Sequence, residues 1–307
     1  MRALRPLLGW LAAGLLAGAA WAQHPAIGEA PPRPLHERLA GADAVGLGRV
    51  ERVGTGRIRL VDVSGVLGDL PAALELKRAP SDPPGLAAGE RLLLLLRGAR
   101  SPYLLVDGPR EIARIGPDAD EAVLGDLLRA LHAAASDAER ARIYARWVER
   151  PDAGLPGEPA RGLADTSLDV GGVDGEVFER LAARACDPSV AAAPRLDAAR
   201  AAVRHPLGSH ALLGRLPGDD PGVLAVGLAA AMPAHPALGV RGLDRALRHD
   251  DPRMREAALR ATVAFDYAPP VRARVATIAA DDPEPALRDL ARRVMRAGSS
   301  ALSSGSE

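Results

Sequence analysis

The sequence is almost without cysteine, which limits how the chain can be stabilised. Cys186 is the only cysteine among 307 residues, so no disulfide can form within the chain. If the chain is exported, it must be stabilised by packing and not by covalent crosslinks. Cys186 itself is predicted to lie in the core of a helix, because no histidine or asparagine motif that would activate a nucleophilic thiol accompanies it.

An excess of charge of either sign is also missing. Lys plus Arg and Asp plus Glu are both 39, which gives a formal net charge of zero and a pI of about 7.1. A surface that binds duplex nucleic acid usually shows a strong basic excess, so nucleic acid is not expected as a partner. Lys77 is the one lysine. An arginine-dominated composition of this kind is typical of GC-rich codon usage, so a lone arginine says little about a phosphate or carboxylate site.

The motifs that usually reveal an enzyme or a cofactor site are absent too. There is no G-x-S-x-G, no Walker or Rossmann glycine pattern and no EF-hand loop. The seven histidines form no H-E-x-x-H or other dense ligand pattern. We therefore predict no catalytic, cofactor-binding or metal-binding residue and no cofactor. One alternative stays open, because Asp165, Asp169 and Asp174 could hold a hard cation, although an acidic solvated loop explains them more simply.

The N-terminus has the pattern of an export signal. The stretch MRALRPLLGWLAAGLLAGAAWA begins with Arg2 and Arg5, continues with an apolar run and ends in an A-x-A cleavage pattern. A transmembrane helix needs about 20 apolar residues, and this run is shorter. Residues 1–22 are therefore predicted to be a signal peptide, and the mature protein is expected in the periplasm or outside the cell. No second run of that length follows, so no membrane insertion is expected after cleavage.

The first third of the mature chain is predicted to be β structure. Residues 23–41 are proline-rich and are predicted to form an extended leader. Between residues 42 and 116, short β-prone runs alternate with glycine turns. Residues 92–96 are all leucine, which predicts a central strand covered on both faces. Gly46 and Gly48 interrupt the first run and predict a bulge. Five or six strands of this length predict a small all-β barrel or sandwich, with a loose similarity to oligonucleotide/oligosaccharide-binding-like and netrin-like barrels.

Helical periodicity begins after residue 117. Residues 118–150 predict a helical hairpin, whose second helix starts with the capping-box spacing of Ser136 and Glu139. Residues 151–174 are rich in Gly, Pro and Asp and are predicted to be a loop or linker. Residues 298–307 are predicted to be a disordered tail because of their serine-rich composition.

Between these segments, residues 175–297 contain a repeat marked by one tripeptide. Asp-Asp-Pro occurs at 219–221, 250–252 and 281–283, with a related Cys-Asp-Pro at 186–188. Aspartate can accept hydrogen bonds from the free amides of a first helical turn, and proline is tolerated at the first helical position. Three equivalent acidic pairs indicate helix caps and not catalytic carboxylates. The predicted caps that begin the second helix of each pair are Asp187-Pro188, Asp220-Pro221, Asp251-Pro252 and Asp282-Pro283.

Two of these second helices resemble a known family. The stretches DDPRMREAALRATV and DPEPALRDLARRVM are similar to the second helices of HEAT repeats, particularly the short bacterial kind of phycobilisome-lyase-type proteins. The matching features are the Asp-Pro turn and an apolar residue followed by arginine, at Arg255 and Arg288. The two arginines are 33 residues apart although the tripeptide recurs every 31, and the units after Asp187 and Asp220 lack the arginine. An aspartate–arginine ladder along the repeats is therefore not expected to be continuous.

The predicted architecture is an α+β multidomain protein, with a small all-β barrel or sandwich followed by an α-solenoid of HEAT-like helical pairs. Stacked helix pairs form extended surfaces, so the first functional hypothesis is an exported, non-enzymatic scaffold or adaptor that binds a protein partner. The resemblance to lyase-type repeats leaves a second hypothesis, a lyase- or chaperone-like cofactor handler. A third makes the β domain the binding part, for a peptide or glycan, with the solenoid as a spacer.

Overall fold

The computed structural model describes residues 33–77, 86–98, 102–106, 113–155, 157–216, 218–232, 234–263 and 269–303. The predicted signal peptide and residues 23–32 of the leader lie outside the described residues. The described chain forms two compact units, one within Pro32–Asp174 and the other from Gly175 onward.

The first unit contains an antiparallel β sheet that almost closes into a barrel. Its strands are β1 (Ala44–Val53), β2 (Arg57–Leu67), β3 (Leu74–Lys77), β4 (Arg91–Arg97), β5 (Leu104–Leu105) and β6 (Ala113–Ile115). The sheet order is β3-β2-β1-β4-β5, and β6 also pairs with β4. A parallel bridge between Leu76 and Tyr103 connects β3 to the segment that enters β5. Of the two predicted all-β forms, the structure therefore has the barrel.

The apolar core of the barrel is centred on β4. Leu92, Leu94 and Leu96 belong to one buried cluster with residues of β1, β2 and β3. Leu93 and Leu95, on the opposite face, are 3% and 2% exposed, so β4 is covered on both faces as predicted. The register of β1 against β2 shifts around Gly46 and Gly48, which confirms the predicted bulge.

Helices precede and follow the barrel along the chain, and two of them lie in segments that were expected to be irregular. They are α1 (Leu35–Ala40), α2 (Glu121–Ala133), α3 (Asp137–Val148) and α4 (Glu158–Ala164), with a 3-10 turn at Pro151–Ala153. The predicted hairpin at 118–150 is present as α2 and α3. The prediction of an extended leader is wrong for residues 35–40, and the prediction of a loop is wrong for residues 158–164. Both helices bury apolar side chains, including Leu35, Leu39 and Leu163, and this packing outweighs the weak local signal.

The second unit consists of helices in pairs. The first helices of the pairs are α5 (Gly175–Ala185), α7 (Pro206–Arg215), α9 (Pro236–Ala246) and α11 (Pro269–Asp281). The second helices are α6 (Ala192–Ala202), α8 (Pro221–Ala231), α10 (Pro252–Val263) and α12 (Pro285–Ser303). Because α12 extends to Ser303, the prediction of a disordered tail is wrong for residues 298–303. Cys186 lies just beyond α5 and is only partly buried, so its predicted place inside a helix core is also wrong.

The helix contacts follow a regular order. Each first helix packs on its own second helix, and successive first helices pack on one another from α5 to α11. Successive second helices do the same from α6 to α12. Apolar side chains of α10 supply part of this packing, since Met254 and Ala258 are fully buried. Across both units, none of the described helices is long and apolar enough to cross a membrane.

Candidate functional site

Two of the four predicted caps begin a helix as expected. Asp220 Oδ1 accepts hydrogen bonds from the amides of Gly222 and Val223, at 2.8 and 3.1 Å, and Pro221 is the first residue of α8. Asp251 Oδ1 accepts one from the amide of Arg253 at 2.8 Å, and α10 begins at Pro252. Each aspartate satisfies amides that have no partner within the helix.

The other two predicted caps are wrong. Asp187 Oδ1 instead accepts from the amide and hydroxyl of Ser189 in a turn, and α6 begins only at Ala192. Near the C-terminus, α12 begins at Pro285, so Pro283 lies in the preceding turn. Asp282 Oδ1 accepts from the amide of Glu284 at 3.0 Å, just before the helix.

With the true helix starts, the repeat arginines fall into register. Arg195, Arg255 and Arg288 are each the fourth residue of their helices, α6, α10 and α12. The 33-residue spacing between Arg255 and Arg288 equals the spacing between the helix starts at Pro252 and Pro285. The unit that follows Asp187 was expected to lack the arginine, and Arg195 shows that this was wrong. In α8 the fourth residue is Leu224, so that unit does lack it.

Two of these arginines bind the aspartate turn of the next pair. Arg255 donates from Nε and Nη2 to the two carboxylate oxygens of Asp282, at 2.8 and 3.1 Å. Arg195 Nη1 and Nη2 lie 2.6 and 3.1 Å from oxygens of Asp219 and Asp220. We call these two contacts the arginine–aspartate ladder. The middle rung, from α8 to the turn before α10, is missing. Position 224 is a leucine, which cannot form an ion pair, and Asp251 pairs with Arg253, two residues further along the chain.

The Arg255 rung is almost completely buried. The side chains of Arg255 and Asp282 are 10% and 3% exposed. Arg255 Nη1 also donates to the carbonyl oxygens of His249 and Asp250, at 2.7 and 2.8 Å. Burial alone would raise the pKa of Asp282, but the hydrogen bonds from Arg255 and the Glu284 amide outweigh it, so this pKa lies below its usual value. Asp282 therefore stays ionised and holds two helix pairs together.

An open pocket of about 450 Å³ lies at this rung. It is lined by the turns before α10 and α12 and by residues of α11. Leu247 and Ile278 form its floor and are almost fully buried. Three exposed carboxylates, Asp250, Asp281 and Glu284, also line it. Arg248 and Arg274 also line the pocket, but both are directed to Asp244, at 2.7 and 3.9 Å. Among the described residues, no basic side chain forms an ion pair with any of the three carboxylates, which are therefore available to a ligand.

The first unit contains a separate polar cluster, which no sequence motif predicted. The backbone amide of His36 in α1 donates to the hydroxyl of Tyr144 in α3 at 3.0 Å, and that hydroxyl lies 3.1 Å from His36 Nδ1. On the other side of the ring, His36 Nε2 lies 3.2 Å from Asp165 Oδ2. The side chains of His36 and Asp165 are 8% and 12% exposed. One arrangement satisfies all three contacts: the Tyr144 hydroxyl donates to Nδ1, and the ring proton sits on Nε2 beside Asp165.

Burial controls the charge states in this cluster. Removal from water lowers the pKa of His36, although the charge of Asp165 opposes this. Removal from water also raises the pKa of Tyr144 well above its usual value. Both rings are therefore neutral near pH 7. Nearby, Glu158 lies 3.6 Å from Arg38 and 2.7 Å from Arg161.

Comparison with known proteins identifies no relative of this chain. No family model, curated protein or solved structure matches this chain. The HEAT resemblance therefore stays a prediction from the residues themselves.

The structure thus distributes the sequence-predicted residues over several places. Asp282 and Arg255 meet at the pocket, and Arg288 caps the same turn by donating to the carbonyl oxygen of Pro283 at 3.3 Å. Two of the three aspartates considered for a hard cation have different surroundings. Asp165 contacts His36, whereas Asp169 accepts from the amide of Gly171 in a separate turn. His36 could not be singled out from the sequence, because 129 residues separate it from Asp165.

Proposed function

We propose that the chain is an exported, non-enzymatic scaffold or adaptor that binds a protein partner through a HEAT-like α-solenoid. The observation that carries the proposal is the order of helix contacts, in which each pair packs on the next through both of its helices. That order is expected of stacked helix pairs, whose turns line up along one edge. Export rests on the signal pattern at residues 1–22.

The pocket at the Arg255–Asp282 rung is the proposed point of contact. Arg255 and Asp282 hold neighbouring helix pairs together, so their charges serve the scaffold itself. The carboxylates of Asp250, Asp281 and Glu284 remain exposed in the pocket. A partner segment that carries Arg or Lys side chains matches this arrangement, because their charged ends meet the carboxylates.

Crosslinking in the native cell envelope, followed by mass spectrometry, tests the proposal. The test variant is Asp250→Asn/Asp281→Asn/Glu284→Gln. The matched control is Glu179→Gln/Glu256→Gln/Asp289→Asn, which removes three carboxylates from other helices of the same unit. We expect a partner that crosslinks through a basic segment in the wild type and the control and is lost from the test variant. Equal recovery of every partner in both variants would refute the proposed contact, and turnover of a small molecule by the purified chain would refute the non-enzymatic role.

A further inference from the structure

The contact between His36 and Asp165 has the spacing of two donors that share one metal ion. Their nearest atoms, Nε2 and Oδ2, are 3.2 Å apart. Donors bound at about 2.0–2.2 Å lie about 3.0 Å apart at a right angle and about 3.4 Å apart at the tetrahedral angle. The observed separation falls between these two values.

A third donor is within reach. The ligand atoms of His36, Glu37 and Asp165 all lie within 4.8 Å of one another. Glu37 is exposed, so its side chain can rotate toward an ion, whereas the other two donors are nearly buried.

Neighbouring groups hold the two buried donors in place. The Tyr144 hydroxyl contacts both the amide and Nδ1 of His36, which fixes the ring with Nε2 toward Asp165. The ring of Tyr144 is itself held against α4, because a Cβ at Gly162 would overlap it. Asp165 accepts from the amide and the hydroxyl of Ser167, both at 2.9 Å. Metal ligands are oriented in this way by the groups behind them.

We propose that His36, Glu37 and Asp165 form a binding site for a first-row divalent cation, with zinc as the best match. One imidazole nitrogen and two carboxylates suit zinc better than magnesium or calcium, which prefer oxygen donors throughout. Two negative charges offset the charge of the ion. On binding, the neutral ring changes tautomer: its single proton leaves Nε2, where the ion takes its place, and the ring carries one proton on Nδ1, which donates to the Tyr144 oxygen, so no net proton is released. The hydroxyl serves either form of the ring, because it can both donate and accept.

Calorimetric titration of the untagged chain with Zn²⁺ tests the site, with Mg²⁺ as the comparison ion. Glu37→Gln removes an exposed donor without disturbing the buried contacts, and we expect its zinc affinity to fall at least about tenfold. Tyr144→Phe removes only the support of the ring, for which a loss of about 10–100-fold is expected. The controls are His132→Ala and Asp169→Asn, an exposed histidine and a nearby carboxylate outside the cluster, which should leave affinity unchanged.

A direct readout separates this site from zinc bound elsewhere. Zinc should shift the ¹⁵N resonance of His36 Nε2 into the range of a metal-bound nitrogen, and circular dichroism should confirm that each variant remains folded. The proposal is overturned if Glu37→Gln and wild type bind zinc equally, if the His36 resonance does not move, or if Mg²⁺ binds as tightly as Zn²⁺. In those cases the cluster only joins α1, α3 and the segment after α4.

Discussion

Replacing Arg255 by alanine should test the ladder most sharply. The change leaves Asp282, whose side chain is 3% exposed, without its cation, and it frees the carbonyl oxygens of His249 and Asp250. Removing one partner of a buried pair costs about 3–5 kcal/mol. For a unit of this size, that corresponds to a fall in Tm on the order of 10–20 °C. Urea denaturation followed by circular dichroism measures the loss.

The control is Arg260→Ala. Arg260 also pairs with a carboxylate, Glu256, but its side chain is 55% exposed. An exposed i,i+4 pair contributes only about 0.3–0.5 kcal/mol, so this variant should unfold almost like the wild type. Asp282→Asn, combined with Arg255→Ala, should restore part of the lost stability, because no buried charge then remains unpaired. A double-mutant cycle should give a coupling of about 1 kcal/mol or more.

The pH dependence supplies the decisive result. The pKa of Asp282 in the folded protein lies below its usual value, so the rung contributes fully above about pH 4 and is lost as pH falls through the lowered pKa. In Arg255→Ala, the arginine no longer counteracts the effect of burial, so the pKa of Asp282 should rise. Acidification then protonates Asp282 and should remove the cost of burying an unpaired carboxylate. The stability gap between variant and wild type should therefore be largest near pH 7 and should narrow below about pH 5. A gap under 1 kcal/mol, or one that is the same at pH 4 and pH 7, would refute the reasoning.

Two further predictions concern the helix starts and one glycine of the second unit. Asp251→Ala should cost about 1–2 kcal/mol through loss of the cap, whereas Asp187→Ala should change stability by less than about 0.5 kcal/mol, as measured by urea midpoints; similar losses would contradict the assigned helix starts. Gly208→Ala should destabilise strongly, because its Cβ would overlap the carbonyl oxygen of Ala202. Gly214→Ala, in open space on the same helix, should stabilise by up to about 1 kcal/mol, and thermal melts that rank the two the other way would contradict the packing.

Much of the β unit could be predicted because its signals are local. The strands follow runs of alternating or continuous apolar residues, and the leucine run at 92–96 is buried on both faces as expected. One half of the predicted capping box forms, since the Ser136 hydroxyl oxygen accepts from the Glu139 amide, whereas the Glu139 side chain accepts from the amide of Ala135, one residue before the cap. Helix α1 was missed because six residues carry too little periodicity to stand out from a proline-rich leader.

The wrong caps have a physical cause that lies in neighbouring prolines. A helix that began at Pro188 would place Pro194 in its interior, where proline removes a hydrogen bond and clashes with the preceding turn. Starting at Ala192 places Pro194 in the first turn instead. Pro285 likewise disfavours a helical conformation at Glu284, so a helix cannot begin at Pro283. The tripeptide is periodic in sequence, but the next proline decides where each helix starts.

The polar cluster around His36 could not be predicted from the sequence. His36 and Asp165 are brought together by the packing of α1, α3 and α4, and neither belongs to a recognisable motif. A buried histidine is indistinguishable from an exposed one in the sequence, because burial depends on contacts made by distant segments.

Because position 224 is a leucine, the junctions between helix pairs of the second unit differ in their response to pH. The outer junctions, from α6 to the turn before α8 and from α10 to the turn before α12, each contain an ionic contact, and the one at Asp282 is lost as pH falls through the lowered pKa of that carboxyl. The central junction, from α8 to the turn before α10, has a fully buried leucine, Leu224, at the equivalent position, and an apolar side chain does not titrate. Acidification should thus loosen the junction between α10 and α12 while the central junction remains closed, so that hydrogen exchange spreads inward from the α11–α12 end of the unit.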